Sequence, residues 1–278
     1  SDHHVYANKS ELLRGNSSLI YPLNGVWKFD YSINLNCTPD GFEALDYDCK
    51  NWEDIRVPAH IQMEGYDRPH YANVAYPWDS RQALKSGEAP TDFNPVASYV
   101  KYFTLPNGFI KDSLILRFEG VESAAAVWLN GHYIGYCEDS FTPSEFDLTE
   151  YIAEGENKLA IQVTKWCAGS WLEDQDFFRF SGIFRDIYLY TKQKCHLEDI
   201  EIKQVFENNN FENVKLNFSI SLSNNADVKL RLFDAMDLTL KSNEFKVFDE
   251  MPVLYETVNN LHSGENKLSF DVAAPKLW

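Results

Sequence analysis

Two stretches concentrate the side chains able to do chemistry: residues 57–79, VPAHIQMEGYDRPHYANVAYPWD, and residues 164–185, TKWCAGSWLEDQDFFRFSGIFR. In the second, Glu173, Asp174 and Asp176 lie among Trp166, Trp171, Phe177, Phe178, Phe180 and Phe184. Carboxylates set against aromatic planes suit a sugar, whose apolar ring face lies on an aromatic while oxygens take its hydroxyl protons. The same residues also describe an inter-sheet core with its acids on a solvated rim, and on residue types alone both readings stay open. Asp174 and Asp176 stand two apart, so in an extended chain they point the same way at about 7 Å. That falls within the roughly 5 to 9.5 Å separating the paired carboxylates of glycosidases. It is a weak signal, since many loops carry such pairs. Two or three carboxylates can also give oxygen ligands to a hard cation, although no EF-hand loop is present. The histidines, His3, His4, His60, His70, His132, His196 and His262, show no ligand spacing such as HExxH. A GxSxG elbow, a Walker loop and a GxGxxG turn are also missing, which removes support for nucleophilic serine, nucleotide and dinucleotide chemistry.

The elements that must position these loops read as strands. Alternating runs rich in Val, Ile, Tyr, Phe and Trp, bounded by Asn, Gly, Asp and Pro, occur at residues 98–105, 113–120, 126–136, 158–166, 185–191, 197–206, 214–222 and 228–233. No convincing amphipathic helix interrupts them. Asn130-Gly131 between apolar flanks predicts a two-residue hairpin, because a type I′ turn needs positive φ at both central positions. The pentapeptide GENKL occurs at Gly155–Leu159 and again at Gly264–Leu268, each time entering a strand. That repeat fits two β-sandwiches closed by similar turns. Lys192-Gln193-Lys194 makes a polar break, and six of the seven tryptophans precede it. The expected division is therefore residues 1–195, a large sandwich with an N-terminal extension, and 196–278, a small seven-stranded sandwich of immunoglobulin type.

Composition narrows the partners. Asp plus Glu outnumber Lys plus Arg by 42 to 25, and a net charge of −17 repels phosphate backbones and anionic membrane surfaces alike. No apolar run approaches the ~20 residues of a membrane span. The five cysteines, Cys37, Cys49, Cys137, Cys167 and Cys195, form neither a CxxC pair nor a metal spacing, which points to free thiols in a reducing compartment.

Several motifs in one order resemble a known family. Pro58–Pro77 (PAHIQMEGYDRPHYANVAYP), Pro143–Leu148 (PSEFDL), Gly155–Leu159 (GENKL) and above all Leu172–Asp186 (LEDQDFFRFSGIFRD) are similar to the N-terminal region of glycoside hydrolase family 2 β-galactosidases. The resemblance runs from about Leu23 (LNGVWKF) to the closing PKLW at 275–278. It implies an all-β chain, a galactose-binding-like jelly roll followed by an immunoglobulin-like sandwich. In the family a (β/α)₈ barrel with both catalytic glutamates comes next, and this chain does not contain it. By position the resemblance gives Asn73 the binding of the galactosyl group, and Asp176 the binding of galactose and a sodium ion completed by the barrel. Val74 flanks the site through its backbone, and Phe178 stands where the bacterial enzymes of the family carry Trp. No catalytic residue is expected in this chain.

The implied whole enzyme hydrolyses terminal β-galactosides such as lactose with retention, uses sodium and magnesium, and forms homo-oligomers. This chain alone is expected to hold neither ion tightly and to be inactive. Its expected partners are the β-galactoside and the remainder of the same polypeptide, in the cytoplasm, with no nucleic acid and no membrane. The alternative is a free-standing carbohydrate-binding module with an appended immunoglobulin-like domain.

Overall fold

The computed structural model describes residues 5–79, 81–109, 112–173, 176–206, 211–233 and 253–275. Asp174 and Trp278, both weighed above, lie outside the described residues. The chain is nearly all β, and its strands divide into two compact units, one of residues 20–191 and one of residues 1–19 together with 192–278.

The larger unit is the jelly-roll sandwich. Its six-stranded antiparallel sheet runs, in spatial order, Glu53–Val57, Gly25–Ser32, Val96–Thr104, Glu156–Thr164, Ala124–Leu129, His132–Cys137. The facing four-stranded sheet runs Ile20–Pro22, Ile187–Thr191, Leu114–Phe118, Ser144–Asp147. Between them lies a core that includes Trp27, Phe29, Tyr99, Leu116, Phe118, Val127, Ile161 and Leu189, all nearly inaccessible. Burying side chains of this size stabilises by about 1.5–3 kcal/mol each before entropy is counted. Val100 and Ala160, neighbours of core residues and so on the opposite side of the six-stranded sheet, pack with Phe42 and Cys49 in a second, smaller core. Lys158 is fully buried there, and its Nζ donates to the carbonyls of Ala44 and Tyr47, the latter at 3.0 Å.

The hairpin signal at Asn130-Gly131 is realised, with φ of 52° and 84° joining Ala124–Leu129 to His132–Cys137. The pentapeptide repeat is realised as one turn device used twice. Asn157 accepts from the Ala153 amide and donates to the Ala153 and Gly155 carbonyls, while Asn266 accepts from the His262 amide and donates to the His262 and Gly264 carbonyls. In both, an asparagine side chain satisfies backbone groups that a sharp turn leaves unpaired.

The smaller unit shows a three-stranded sheet, Leu197–Phe206, Asn213–Leu222 and Gly264–Ala273, and a two-stranded one, Ala226–Phe233 with Val253–Leu261. These are the sheets of its immunoglobulin-like sandwich, with five strands among the described residues. Asn213–Leu222 alternates strictly, sending Val214, Leu216, Phe218, Ile220 and Leu222 inward. One α-helix, Lys9–Arg14, went unread in the sequence. It buries no residue, and Asn8 and Glu11 cap its first turn reciprocally.

Candidate functional site

The two chemically unusual stretches meet. Far apart in sequence, they pair as a short antiparallel ladder in which His70 faces Arg179, Tyr71 faces Phe178 and Ala72 faces Phe177. Asn73 and Asp176 are the next residues beyond the paired ones on the two segments. Period-two alternation then sorts the side chains. Tyr71, Asn73, Asp176 and Phe178 are exposed, while His70, Ala72, Phe177 and Arg179 turn toward the protein.

On the outer face the Tyr71 hydroxyl donates to Asp176 Oδ1 at 2.5 Å. The Tyr71 ring lies 5.6 Å from that of Phe178. Tyr71's pKa is raised, first because the carboxylate of Asp176 accepts its proton in a hydrogen bond, with a small opposing influence from the Asn73 side chain. Of the two residues expected to bind substrate, Asp176 is thus engaged by the phenol, and Asn73 lies two positions beyond Tyr71 in sequence. Val74 is 92% exposed and Leu172 86% exposed, so large apolar side chains border the polar group. Of the aromatics that suggested a sugar wall, Trp166 is buried and Trp171 packs on Tyr76 at 4.5 Å, leaving Phe178 as the exposed ring. Packing accounts for most of that wall.

The inner face is a buried charge cluster. Arg179, beneath the ladder, donates to the Glu173 carbonyl and lies 4.3 Å from the Phe177 ring centre. Lys165 pairs with Asp67, both side chains nearly inaccessible, and Gln62 ties Asp67 at 3.0 Å to Ser181 at 2.9 Å. Glu122, 4% exposed, lines a narrow cavity with Lys165, Trp166, Glu173 and Arg179. Burial, reinforced by the neighbouring Glu173 charge, pushes its carboxyl up to about 8 against the opposing pull of Arg179 and Lys165. His60, stacked on Phe184 at 5.0 Å, has its pKa lowered by burial. His60 Nδ1 lies 3.8 Å from Glu122 Oε2, and burial drives both groups toward their neutral forms. Gly182, opposite Glu122 in a second short ladder, has φ of +116°, and an added Cβ would sit 2.9 Å from the Tyr99 hydroxyl. Only glycine fits there.

Among the described residues no group of three or more His, Cys, Asp or Glu converges as a metal site. Asp176 offers one anionic group with lone pairs for more than one partner. That fits a contribution to a cation site whose other ligands come from elsewhere, and it does not fit a closed site among the described residues. Sequence reasoning missed Tyr71, although its place two residues before Asn73 puts both on one strand face. It also missed Glu122, whose neighbours Val121 and Ala124–Val127 carry no mark of chemistry.

Fold and site together define a β-sandwich presenting a small polar face from two paired loops. Residues 20–193 match the family described as glycosyl hydrolases family 2, sugar binding domain. This chain belongs to that family. It is 53% identical over 204 residues to a β-galactosidase of Halalkalibacterium halodurans, a match covering 73% of this chain and 20% of that protein. It is 37% identical over 281 residues to a β-galactosidase large subunit of Lactobacillus helveticus, covering 96% of this chain and 44% of that one. The chain therefore spans less than half the length of either relative. Among solved structures, a β-glucuronidase of Bifidobacterium dentium complexed with coumarin-3-O-glucuronide aligns with a TM-score of 0.63 at 16% identity, over 94% of this chain and 42% of that one. A β-glycosidase from Bacteroides vulgatus aligns with a TM-score of 0.61 at 21% identity, over 93% of this chain and 30% of that one. At such identities the likeness is one of fold.

Described helices include none long and apolar enough to cross a membrane.

Proposed function

We propose that this chain is the non-catalytic N-terminal part of a retaining β-galactosidase. Its ladder face lends Asn73 and Asp176 to a galactosyl site completed by the remainder of the same polypeptide. The observation that carries the reading is the outer face itself: the Tyr71 phenol donates to Asp176, and Asp176 and Asn73 are exposed just past the paired segments, with exposed Val74 and Leu172 nearby in sequence. The longer β-galactosidase and β-galactosidase large subunit support it, since the matched segment makes up 20% and 44% of their lengths.

The chemistry assigned to these residues is binding and positioning. A carboxylate accepts sugar hydroxyl protons and contributes an anionic oxygen to a sodium ion, and an amide both donates and accepts. Bond cleavage belongs to a pair of carboxylates outside this chain. Magnesium, oligomer contacts and cytoplasmic residence are further parts of the proposal that belong to the whole enzyme.

A chromogenic β-galactoside tests it. The full-length polypeptide is expected to turn over, and the 278-residue chain is not, even at high protein concentration. Galactose is expected to bind this chain at millimolar affinity or weaker, because a few exposed polar contacts must offset the loss of translational freedom. Turnover by this chain alone that is lost in Asp176→Asn would overturn the reading. Submillimolar galactose binding would favour the free-standing binding module.

A further inference from the structure

Tyr71 belongs to neither of the two positions that the family resemblance marked, yet its hydroxyl engages one of them, Asp176. Asp176 leads into its strand and Asn73 follows the partner strand, so neither is held by a ladder pair of its own. Both are exposed, and an exposed carboxylate samples several rotamers unless a partner fixes one. The Tyr71 hydroxyl provides that partner at 2.5 Å from Asp176 Oδ1. Its ring is itself fixed, one step along the ladder, by packing 5.6 Å from Phe178. Hydrogen bonds to a charged acceptor are the strong ones and carry direction. With Oδ1 engaged, the carboxylate plane is set and Oδ2 is aimed by default.

We infer that Tyr71 is a positioning residue, whose hydroxyl fixes the carboxylate of Asp176 for the galactosyl group. The inference rests on the proposed role of Asp176 and adds to it the group that makes Asp176 effective. Tyr71 touches no reacting atom. Its effect passes through Asp176, so removing the hydroxyl matters only while that carboxylate is present.

Kinetics of three variants test this. In the full-length polypeptide, kcat and KM for a β-galactoside are measured for Tyr71→Phe, Asp176→Asn and the double variant. Tyr71→Phe keeps the ring and is expected to lower kcat/KM roughly tenfold with an unchanged unfolding midpoint, while adding little in the Asp176→Asn background.

Full activity in Tyr71→Phe, or effects that multiply in the double variant, would overturn the inference while leaving an impaired Asp176→Asn to support the site. An Asp176→Asn enzyme as active as wild type would overturn the site reading and this inference with it.

Discussion

The two faces of one short ladder divide the polar side chains of residues 57–79 and 164–185 between opposite tasks. Inward, Arg179, Lys165, Asp67 and Gln62 are buried and matched to one another or to backbone carbonyls. Outward, Asp176, Asn73 and Tyr71 are exposed, and the Tyr71 phenol donates to Asp176. A buried charge left unmatched costs several kcal/mol, so the inner groups have their partners fixed by the fold itself. An exposed carboxylate costs the fold little, and its remaining lone pairs stay available to another molecule. Residue type therefore does not tell a structural acid from a binding one. The face of the strand does.

Breaking the inner face should have the largest effect on stability. Lys165→Met leaves Asp67 buried with Gln62 as its remaining named donor, and is expected to cost about 3–5 kcal/mol in urea unfolding of this chain. A loss below 1 kcal/mol would show that water reaches the pair and that the inner face is not sealed.

Glu122 sharpens the comparison through pH. Its folded-state carboxyl lies near 8, above its ordinary 4.5, so the folded form holds a proton that the unfolded chain releases. Stability from this group is complete below about pH 4.5 and declines as pH rises toward 8. Between pH 6.5 and 8, above most of the His60 titration, wild type is expected to lose about 1.5–2 kcal/mol from this source. Glu122→Gln carries no titrating group there and should flatten that part of the profile. A parallel decline in both proteins would place the pH dependence elsewhere.

The outer face should answer in the opposite way. Asn73→Ala is expected to change the unfolding free energy of this chain by no more than about 0.5 kcal/mol, as at an exposed loop position. In the full-length polypeptide it removes a neutral hydrogen bond, worth about 0.5–1.5 kcal/mol, and so should lower kcat/KM by about 2- to 12-fold. A destabilised chain with unchanged kcat/KM would move Asn73 to the structural side.

Much of the frame was legible. The strand signals at 98–105, 197–206 and 214–222 fall within two residues of Val96–Thr104, Leu197–Phe206 and Asn213–Leu222, since alternation and turn residues are local properties. Asn130-Gly131 and the two GENKL turns were legible for the same reason. The helix at Lys9–Arg14 was missed because six residues are too few to show a 3.6-residue period, although its Asn8/Glu11 cap is written in the sequence. Lys158 sits in a strand and Lys165 just past its end, and the pattern gave no warning that both would be fully buried, because carbonyls and Asp67 that receive them come from distant segments. The site was half legible. Both loops stood out by composition, and the family resemblance singled out Asn73 and Asp176. That the two loops pair, bringing the Tyr71 phenol onto Asp176, depends on a register joining residues about a hundred positions apart. No local pattern encodes such a pairing.

Asp176→Asn, read in two assays on one variant, tests the division between the faces most directly. In this chain the substitution should leave the urea midpoint unchanged, because the carboxylate is exposed and supports no buried partner. In the full-length polypeptide it should lower kcat/KM for a β-galactoside by on the order of 100-fold, the cost of holding the sugar about 1 Å out of place. A destabilised chain together with an unimpaired enzyme would contradict the account, because Asp176 would then belong to the fold and not to the site.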